Sequence, residues 1–384
     1  MLAWQPTLFS LNQHKANTGF SKKPLSVCFG NTKIKTEFPL TTIDFSNYEG
    51  FSQNEKIALG EKLFQAFKND SIAAIKLPRF DYSLFQSHYD HVKTVIDLPS
   101  DQLKAYVSHP ASLTGIQFDV GFNPHDKSHE NDPKRLVIKY RAKDNQLPTT
   151  ECPEFLPSSK VVFETLHKLG VLACEALGLY LQNTGTVSDP PFFKKMVFDE
   201  SGQTNFSTLW VNHYPATQSK ATPPPNASNV IGAEHKDTSL LTLLPPATQN
   251  GLEVFHPKQE QWLPISLSQT QNKILIFPSG LMSKVTNNLI PHNKHRVMTP
   301  PNPTQPRTSL TLFLLPHKNR PVLSITGQRL FKDGVGPAAH CLKSSAAEPD
   351  EHLVTVAQVH RLNPAFGHRL QQVTQRFFSN NSQQ

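Results

Sequence analysis

His235 and Asp237 stand two residues apart in the run Gly232-Ala-Glu-His-Lys-Asp-Thr-Ser-Leu-Leu-Thr-Leu-Leu244. Imidazole nitrogen and carboxylate oxygen are ligands for first-row transition metals. On a β-strand alternate side chains point to the same face, so this pair can reach one ion together. His295, in Asn293-Lys-His-Arg-Val297, opens a later extended run, with 57 residues between it and Asp237. Two imidazoles and one carboxylate on one side of a metal leave positions open, the arrangement of non-haem Fe(II) oxygenases. The expected chemistry is oxidation with dioxygen. Arg307 and Ser309 are also two apart and share a strand face. A buried guanidinium needs an anion, and its planar fork fits a carboxylate through two hydrogen bonds. Tyr214, closing an earlier strand, can add a phenol to that group.

The chain contains 17 histidines, so chance pairs have to be weighed against this set. His88-Tyr-Asp90 lies in a stretch that reads as helix. Residues two apart there diverge by about 200° around the axis, and the pair is assigned to a solvated helix face. His125 and His129 have the i,i+4 spacing of zinc-binding helices. Pro124 and the polar run to Asp132 instead indicate a loop, and no Glu follows His125. His292 competes with His295 but follows Ile290-Pro291 in a turn, which makes His295 the preferred ligand.

The elements that must position these residues fall into two regions. Phe38–Phe45 reads as a strand, Ser52 to Glu55 as a capping box, and Leu59, Leu63, Ala66 and Phe67 as a helical stripe. Ile72–Leu77 is a short strand, residues 85–107 are helical, and 110–135 form an ordered loop region. A second helix runs from Ser159 to Leu177. From Phe206 the pattern changes to short β-runs separated by Pro-, Asn- and Gly-rich turns: Ser207–Tyr214, His235–Leu244, Gly251–Phe255, Ile274–Phe277 and Leu310–Leu315. Such spacing predicts a jelly roll or barrel. The expected divisions are a leader over 1–36, an N-terminal region with helices over 37–200, a jelly-roll core over 201–318, and a partly helical extension over 319–384.

At 384 residues the chain can form one large elaborated domain, and its 25 phenylalanines can fill a sizeable core. The net charge is +8, but no Lys/Arg run interleaves with aromatics, so nucleic acid is not an expected partner. Cys28, Cys152, Cys174 and Cys341 are widely spaced and form no Cys-x-x-Cys, which favours a reducing, cytoplasmic setting. No apolar run reaches the roughly 20 residues that span a bilayer.

The residues in order resemble the isopenicillin N synthase-like family of Fe(II)/2-oxoglutarate-dependent dioxygenases, in its bacterial form. The likeness runs from about Phe38 to Leu323. It is carried by Asn212-His-Tyr-Pro215, Gly232-Ala-Glu-His-Lys-Asp237 with Leu241-Thr-Leu-Leu244, Gly251-Leu-Glu-Val254, Thr286-Asn-Asn, His295-Arg-Val297, and Arg307-Thr-Ser309. The resemblance implies an α+β fold with a double-stranded β-helix core flanked by helices. It implies that His235, Asp237 and His295 bind iron, and that Arg307 and Ser309, with Tyr214 and Asn212, hold 2-oxoglutarate. The implied chemistry spends dioxygen and 2-oxoglutarate, releases succinate and CO2, and oxidises a small-molecule substrate.

Three departures stand out. Phe277-Pro-Ser-Gly280 replaces the family's Asn-x-Gly-Asp turn, Lys236 sits between two ligands, and Asp132-Pro-Lys-Arg-Leu-Val-Ile-Lys-Tyr140 replaces an acidic and aromatic substrate-side segment. Phe118, Phe122 and Tyr140 are candidates for the substrate wall, although aromatics in such loops are more often core, and Lys134 and Arg135 are candidates for contact with an anionic substrate, against a solvated surface as the more common reading. The alternatives are a same-fold oxidase that does not use 2-oxoglutarate and a catalytically silent binding scaffold.

Overall fold

Alternation along Arg307-Thr-Ser-Leu-Thr-Leu-Phe-Leu314 divides the interior into two cores. Leu310, Leu312 and Leu314 face one side of the strand with helical residues, and Arg307, Ser309, Thr311 and Phe313 face the other. The computed structural model describes residues 37–77, 80–108, 114–119, 135–142, 145, 147–189, 192–197, 206–216, 229–317 and 321–331.

Along the chain come β1 (Thr42–Asp44), a 3-10 turn (Tyr48–Gly50), α1 (Gln53–Asp70), β2 (Ala73–Lys76), α2 (Ser83–Ile96) and α3 (Ser100–Ala105). There follow β3 (Gly115–Asp119), β4 (Arg135–Tyr140), α4 (Phe155–Asn183), α5 (Phe192–Val197), β5 (Thr208–Tyr214) and β6 (Val230–His235). Next are β7 (Leu241–Leu244), β8 (Leu252–His256), β9 (Gln261–Pro264), α6 (Leu267–Thr270) and β10 (Lys273–Pro278). The described chain ends with α7 (Gly280–Val285), β11 (His295–Met298), β12 (Arg307–Leu314), β13 (Val322–Leu323) and β14 (Arg329–Phe331).

An eight-stranded sheet has the order β1-β2-β10-β7-β12-β5-β4-β3, and a four-stranded sheet the order β6-β11-β8-β9. Ala74, Leu275 and Phe277 from the larger sheet pack with Leu252, Val254 and Leu263 from the smaller one. On the other face of the larger sheet, Leu241, Leu243, Ile274, Ile276 and Leu312 share a core with Leu63 and Phe67 of α1 and Leu166 and Leu177 of α4. This is the expected double-layered β-core flanked by helices.

The capping box forms as read: Ser52 Oγ accepts from Glu55 N, and Glu55 Oε2 accepts from Ser52 N at 2.7 Å. α4 runs further than expected at both ends, and at its start Pro157 lies in the first turn, where it costs no intrahelical bond. The helix expected over 85–107 is broken between α2 and α3 at Asp97–Pro99, where proline prevents continuation. The loop region expected over 110–135 instead contains β3 and meets β4. These strands exist by pairing with each other and with β5, a non-local cause. His88 lies on a helix as expected, but it is fully buried rather than solvated. Its Nδ1 lies 2.9 Å from Ser158 Oγ, and burial pushes its pKa down to about 3. The expected leader, His125, His129 and the helices expected over 352–379 lie outside the described residues.

α1 and α4 approach closely at Gly60, where an added Cβ would lie 2.0 Å from the Ala176 carbonyl oxygen. Gly60→Ala should therefore push the two helices apart and destabilise the fold by roughly 1–3 kcal/mol. Thermal unfolding followed by circular dichroism checks this, and an unchanged midpoint would contradict the contact.

Candidate active site

β6 and β11 pair antiparallel with His235 directly opposite His295, so the two imidazoles project to one face. Their ring centroids are 4.2 Å apart. Asp237 reaches them by a different route from the expected one. His235–Leu244 is not a single strand: β6 ends at His235 in the smaller sheet, and β7 begins at Leu241 in the larger. Asp237 lies on the crossover between sheets. Backbone bonds bend the chain there, with Gly280 N donating to Asp237 O at 2.7 Å and Ser279 N to Leu240 O at 3.1 Å. Asp237 Oδ1 then stands 3.6 Å from His235 Nε2 and 3.9 Å from His295 Nε2. One ligand atom from each of the three residues falls within 4.8 Å of the others, and His292 is not in this group.

Each imidazole is fixed through its other nitrogen. His235 Nδ1 lies 2.8 Å from Ala233 O, which can only accept. His295 Nδ1 lies 3.2 Å from Asn293 Oδ1, while Asn293 Nδ2 donates to Ser71 O at 3.1 Å. Both Nδ1 atoms are therefore protonated donors, and both Nε2 atoms lie on the Asp237 side. That is the tautomer a metal requires, with outer partners that set ring orientation.

The charges agree with a ligand set rather than an ion pair. Burial raises the Asp237 carboxyl pKa, opposed by His235, the Thr242 hydroxyl and Arg135. Burial also holds His295 well below its ordinary value, with His235 adding to the effect. An ion pair would move both groups the other way. A buried carboxylate set between two imidazoles suits a divalent cation, whose charge restores the carboxylate. The side chain of His235 is 40% exposed and leaves one side of the group open.

Arg307 and Ser309 sit where β12 pairs with β5, with Arg307 opposite Tyr214 and Ser309 opposite Asn212. Arg307 is only 3% exposed. Its Nη1 donates to Ser309 Oγ at 3.1 Å, and its Cζ lies 5.8 Å from the centre of the Tyr214 ring. Its Nε has no hydrogen-bond partner, and no carboxylate pairs with it among the described residues. A buried guanidinium left in this state fits an anionic ligand. Space beside it depends on Gly251 (φ +137°), where a Cβ would come within 3.3 Å of Arg307 Nε and 2.7 Å of Met298 O.

Register carries the same inner face across β5 and β4. Val137 opposes Asn212 and Lys139 opposes Trp210, so Arg135, Val137 and Lys139 share the face of Asn212 and Ser309. Arg135 Nη1 donates to Asn212 Oδ1 at 3.2 Å, and buried Lys139 places Nζ 4.2 Å from the Trp210 ring centre. Tyr140 belongs to the opposite face, 5.7 Å from Phe163 of α4, so it is a core residue and not a substrate wall. Phe122, Lys134 and the side chain of Phe118 lie outside what is described. Lys139, Trp210, Asn293 and Thr242 went unnoticed in the sequence. The readable signal for Thr242 was a lone hydroxyl inside Leu-Leu-Thr-Leu-Leu, where it is fully buried.

Residues 205–316 match the family model described as the 2OG-Fe(II) oxygenase superfamily. The chain is 34% identical over 109 residues to 2'-deoxymugineic-acid 2'-dioxygenase of Hordeum vulgare, covering 28% of each chain. It is 25% identical over 226 residues to gibberellin 2-beta-dioxygenase 1 of Oryza sativa subsp. japonica, covering 53% of this chain and 55% of that one. These matches span only about a quarter and a half of those two relatives. A 2-oxoglutarate-dependent dioxygenase of Aspergillus rugulosus is 24% identical over 315 residues, 74% of this chain and 90% of that one. Among solved structures, full-length Neurospora crassa T7H in complex with alpha-KG superposes with a TM-score of 0.66 at 18% identity, covering 79% of this chain and 95% of that one. A 2OG-Fe(II) oxygenase family protein from Caulobacter crescentus gives 0.64 at 22% identity, covering 80% and 99%. At these identities the structures establish the shared fold. The part of the chain similar to the 2OG-Fe(II) oxygenase superfamily, residues 205–316, is the part that holds His235, Asp237, His295 and Arg307.

Proposed function

We propose that the protein is a non-haem Fe(II)- and 2-oxoglutarate-dependent oxygenase that oxidises a small-molecule substrate. The observation that carries this reading is the convergence of His235 Nε2, Asp237 Oδ1 and His295 Nε2, with both Nδ1 atoms already bonded elsewhere. In this reading those three atoms hold the metal from one side. When bound, Fe(II) supplies the redox chemistry that couples dioxygen and 2-oxoglutarate to substrate oxidation, with release of succinate and CO2.

The chain's own part is binding and exclusion. Arg307 and Ser309 clamp the distal carboxylate of 2-oxoglutarate, with Tyr214 packed against the guanidinium and Asn212 opposite Ser309. Burial of this group keeps water from competing for its hydrogen bonds. Charge supports a dicarboxylate: a divalent ion and Arg307 contribute three positive charges, and Asp237 removes one. A dianion neutralises the remainder. Arg307, buried without a carboxylate among the described residues, favours this reading over an oxidase that dispenses with 2-oxoglutarate. A fully equipped ligand triad argues against a silent scaffold.

The substrate reading follows from the inner face of β4. Arg135 and Lys139 give it positive character beside Asn212 and Trp210, which favours a small molecule bearing an acidic group over nucleic acid. The barley relative is named for an acid. Among the described residues no helix is long and apolar enough to cross a membrane. Cys152 and Cys174 are unpaired, in keeping with a cytoplasmic setting.

Succinate release should require Fe(II), dioxygen and 2-oxoglutarate together and fall to background in His235→Ala and Asp237→Ala. Retained turnover in either variant contradicts the assigned ligands, and substrate oxidation without 2-oxoglutarate indicates the oxidase instead. Arg307→Leu should raise the KM for 2-oxoglutarate roughly ten- to hundredfold, as expected for losing a charge-assisted pair; an unchanged KM removes Arg307 from the cosubstrate site. Across a panel of small carboxylic acids and their methyl esters, only the acids should stimulate succinate release. Equal stimulation by both would overturn the acidic-substrate assignment.

A further inference from the structure

Behind Asp237 lies a chain of three fully buried hydroxyls from Ser239, Thr242 and Ser279. Thr242 Oγ1 donates to Asp237 Oδ2 at 2.7 Å. Ser279 Oγ lies 2.9 Å from Thr242 Oγ1, and Ser239 Oγ lies 3.0 Å from Ser279 Oγ. Each hydroxyl has one proton. The Thr242 proton is committed to the carboxylate, so Thr242 accepts from Ser279. Ser239 Oγ closes the cluster, with Leu241 O and Ser279 Oγ each at 3.0 Å and Thr242 Oγ1 at 3.1 Å within reach of its one proton. The bonds toward the carboxylate run in one direction, Ser279 to Thr242 to Asp237, and each donor polarises the next.

Ser279 belongs to the turn Phe277-Pro-Ser-Gly280, the segment in which this chain departs from the family pattern. That turn also bonds the backbone on both sides of the site. Gly280 N donates to Asp237 O at 2.7 Å, and Pro278 O accepts at 2.9 Å from the N–H of Asn293, the residue whose side chain faces His295. The departure is therefore a working part of the site's frame.

We propose that Ser279, acting through Thr242, positions the Asp237 carboxylate so that Oδ2 is occupied by a hydrogen bond and Oδ1 is presented to the metal. Thr242 and Ser279 are positioning residues, and the inference rests on the iron-site reading above. Without Thr242 the carboxylate can rotate about its terminal torsion or turn both oxygens toward the ion. A buried oxygen then loses its donor.

The test is anaerobic Fe(II) titration of the full chain, with Co(II) absorption as a second reading of coordination geometry. Loss of such an outer partner lowers metal affinity by roughly 10–100-fold. Thr242→Val should show that loss, Ser279→Ala a smaller one, and Thr242→Ser, which keeps the donor, should recover wild-type affinity. Thermal unfolding of each metal-free variant separates positioning from folding; if Thr242→Val fails to fold, Ser279→Ala and Thr242→Ser decide. Wild-type affinity in Ser279→Ala overturns the inference, as does wild-type affinity in Thr242→Val or a loss in Thr242→Ser. A wild-type chain that binds no Fe(II) overturns the iron reading itself.

Discussion

Asp237 is a carboxylate buried where the chain leaves one sheet for another, and the surroundings of the site are organised to hold it. A buried carboxylate is costly unless hydrogen-bonded or paired with a cation. Here a hydroxyl from β7 donates to the carboxylate itself, and a backbone N–H from the start of α7 holds the main-chain carbonyl of the same residue, beside two imidazoles from β6 and β11. Because the turn at Pro278–Gly280 bonds to both the Asp237 crossover and the Asn293 backbone, the carboxylate and His295 are referenced to one rigid feature. A metal site with three ligands on three different segments needs such a common reference, since small errors in each would otherwise add.

The two-sheet layout explains the division of labour. The smaller sheet contributes both imidazoles through a direct cross-strand pair. The larger sheet contributes the buried Arg307 guanidinium and Ser309 on β12 and a polar inner face continuing through β5 and β4. The smaller sheet has four strands and the larger eight. The helical layer lies on the opposite face, where Leu310, Leu312 and Leu314 join α4 in the main core. One strand thus presents site residues on one side and core leucines on the other, and a slip by one residue would exchange them.

Local features were legible wherever a local cause produced them. The Ser52–Glu55 capping box is a short-range exchange of hydrogen bonds and formed as read. The alternation of β12 is a strand property, and it correctly placed Arg307 and Ser309 on one face. β3 and β4 escaped notice because their stability comes from pairing with β5, far away in the chain. His88 was misread as solvated because its helix faces Phe155 and Ser158 of α4, a contact no helical wheel contains. Tyr140 could be read from sequence as core or as substrate wall, and its place in the core was decided by which strand it pairs with.

Residue chemistry and order along the chain were enough to single out His235, Asp237 and His295, which the fold brings together, and the buried Arg307, because donor type is a property of the side chain itself. The reason first given for joining His235 to Asp237, alternation on one strand, does not describe how they meet. Only the tertiary structure put a sheet-to-sheet crossover between them. It also left His292 outside the ligand group, set the two imidazole tautomers and lined up the hydroxyls behind Asp237. Those outcomes depend on hydrogen bonds between segments tens of residues apart, whose register is set by packing of the two sheets and not by any local pattern.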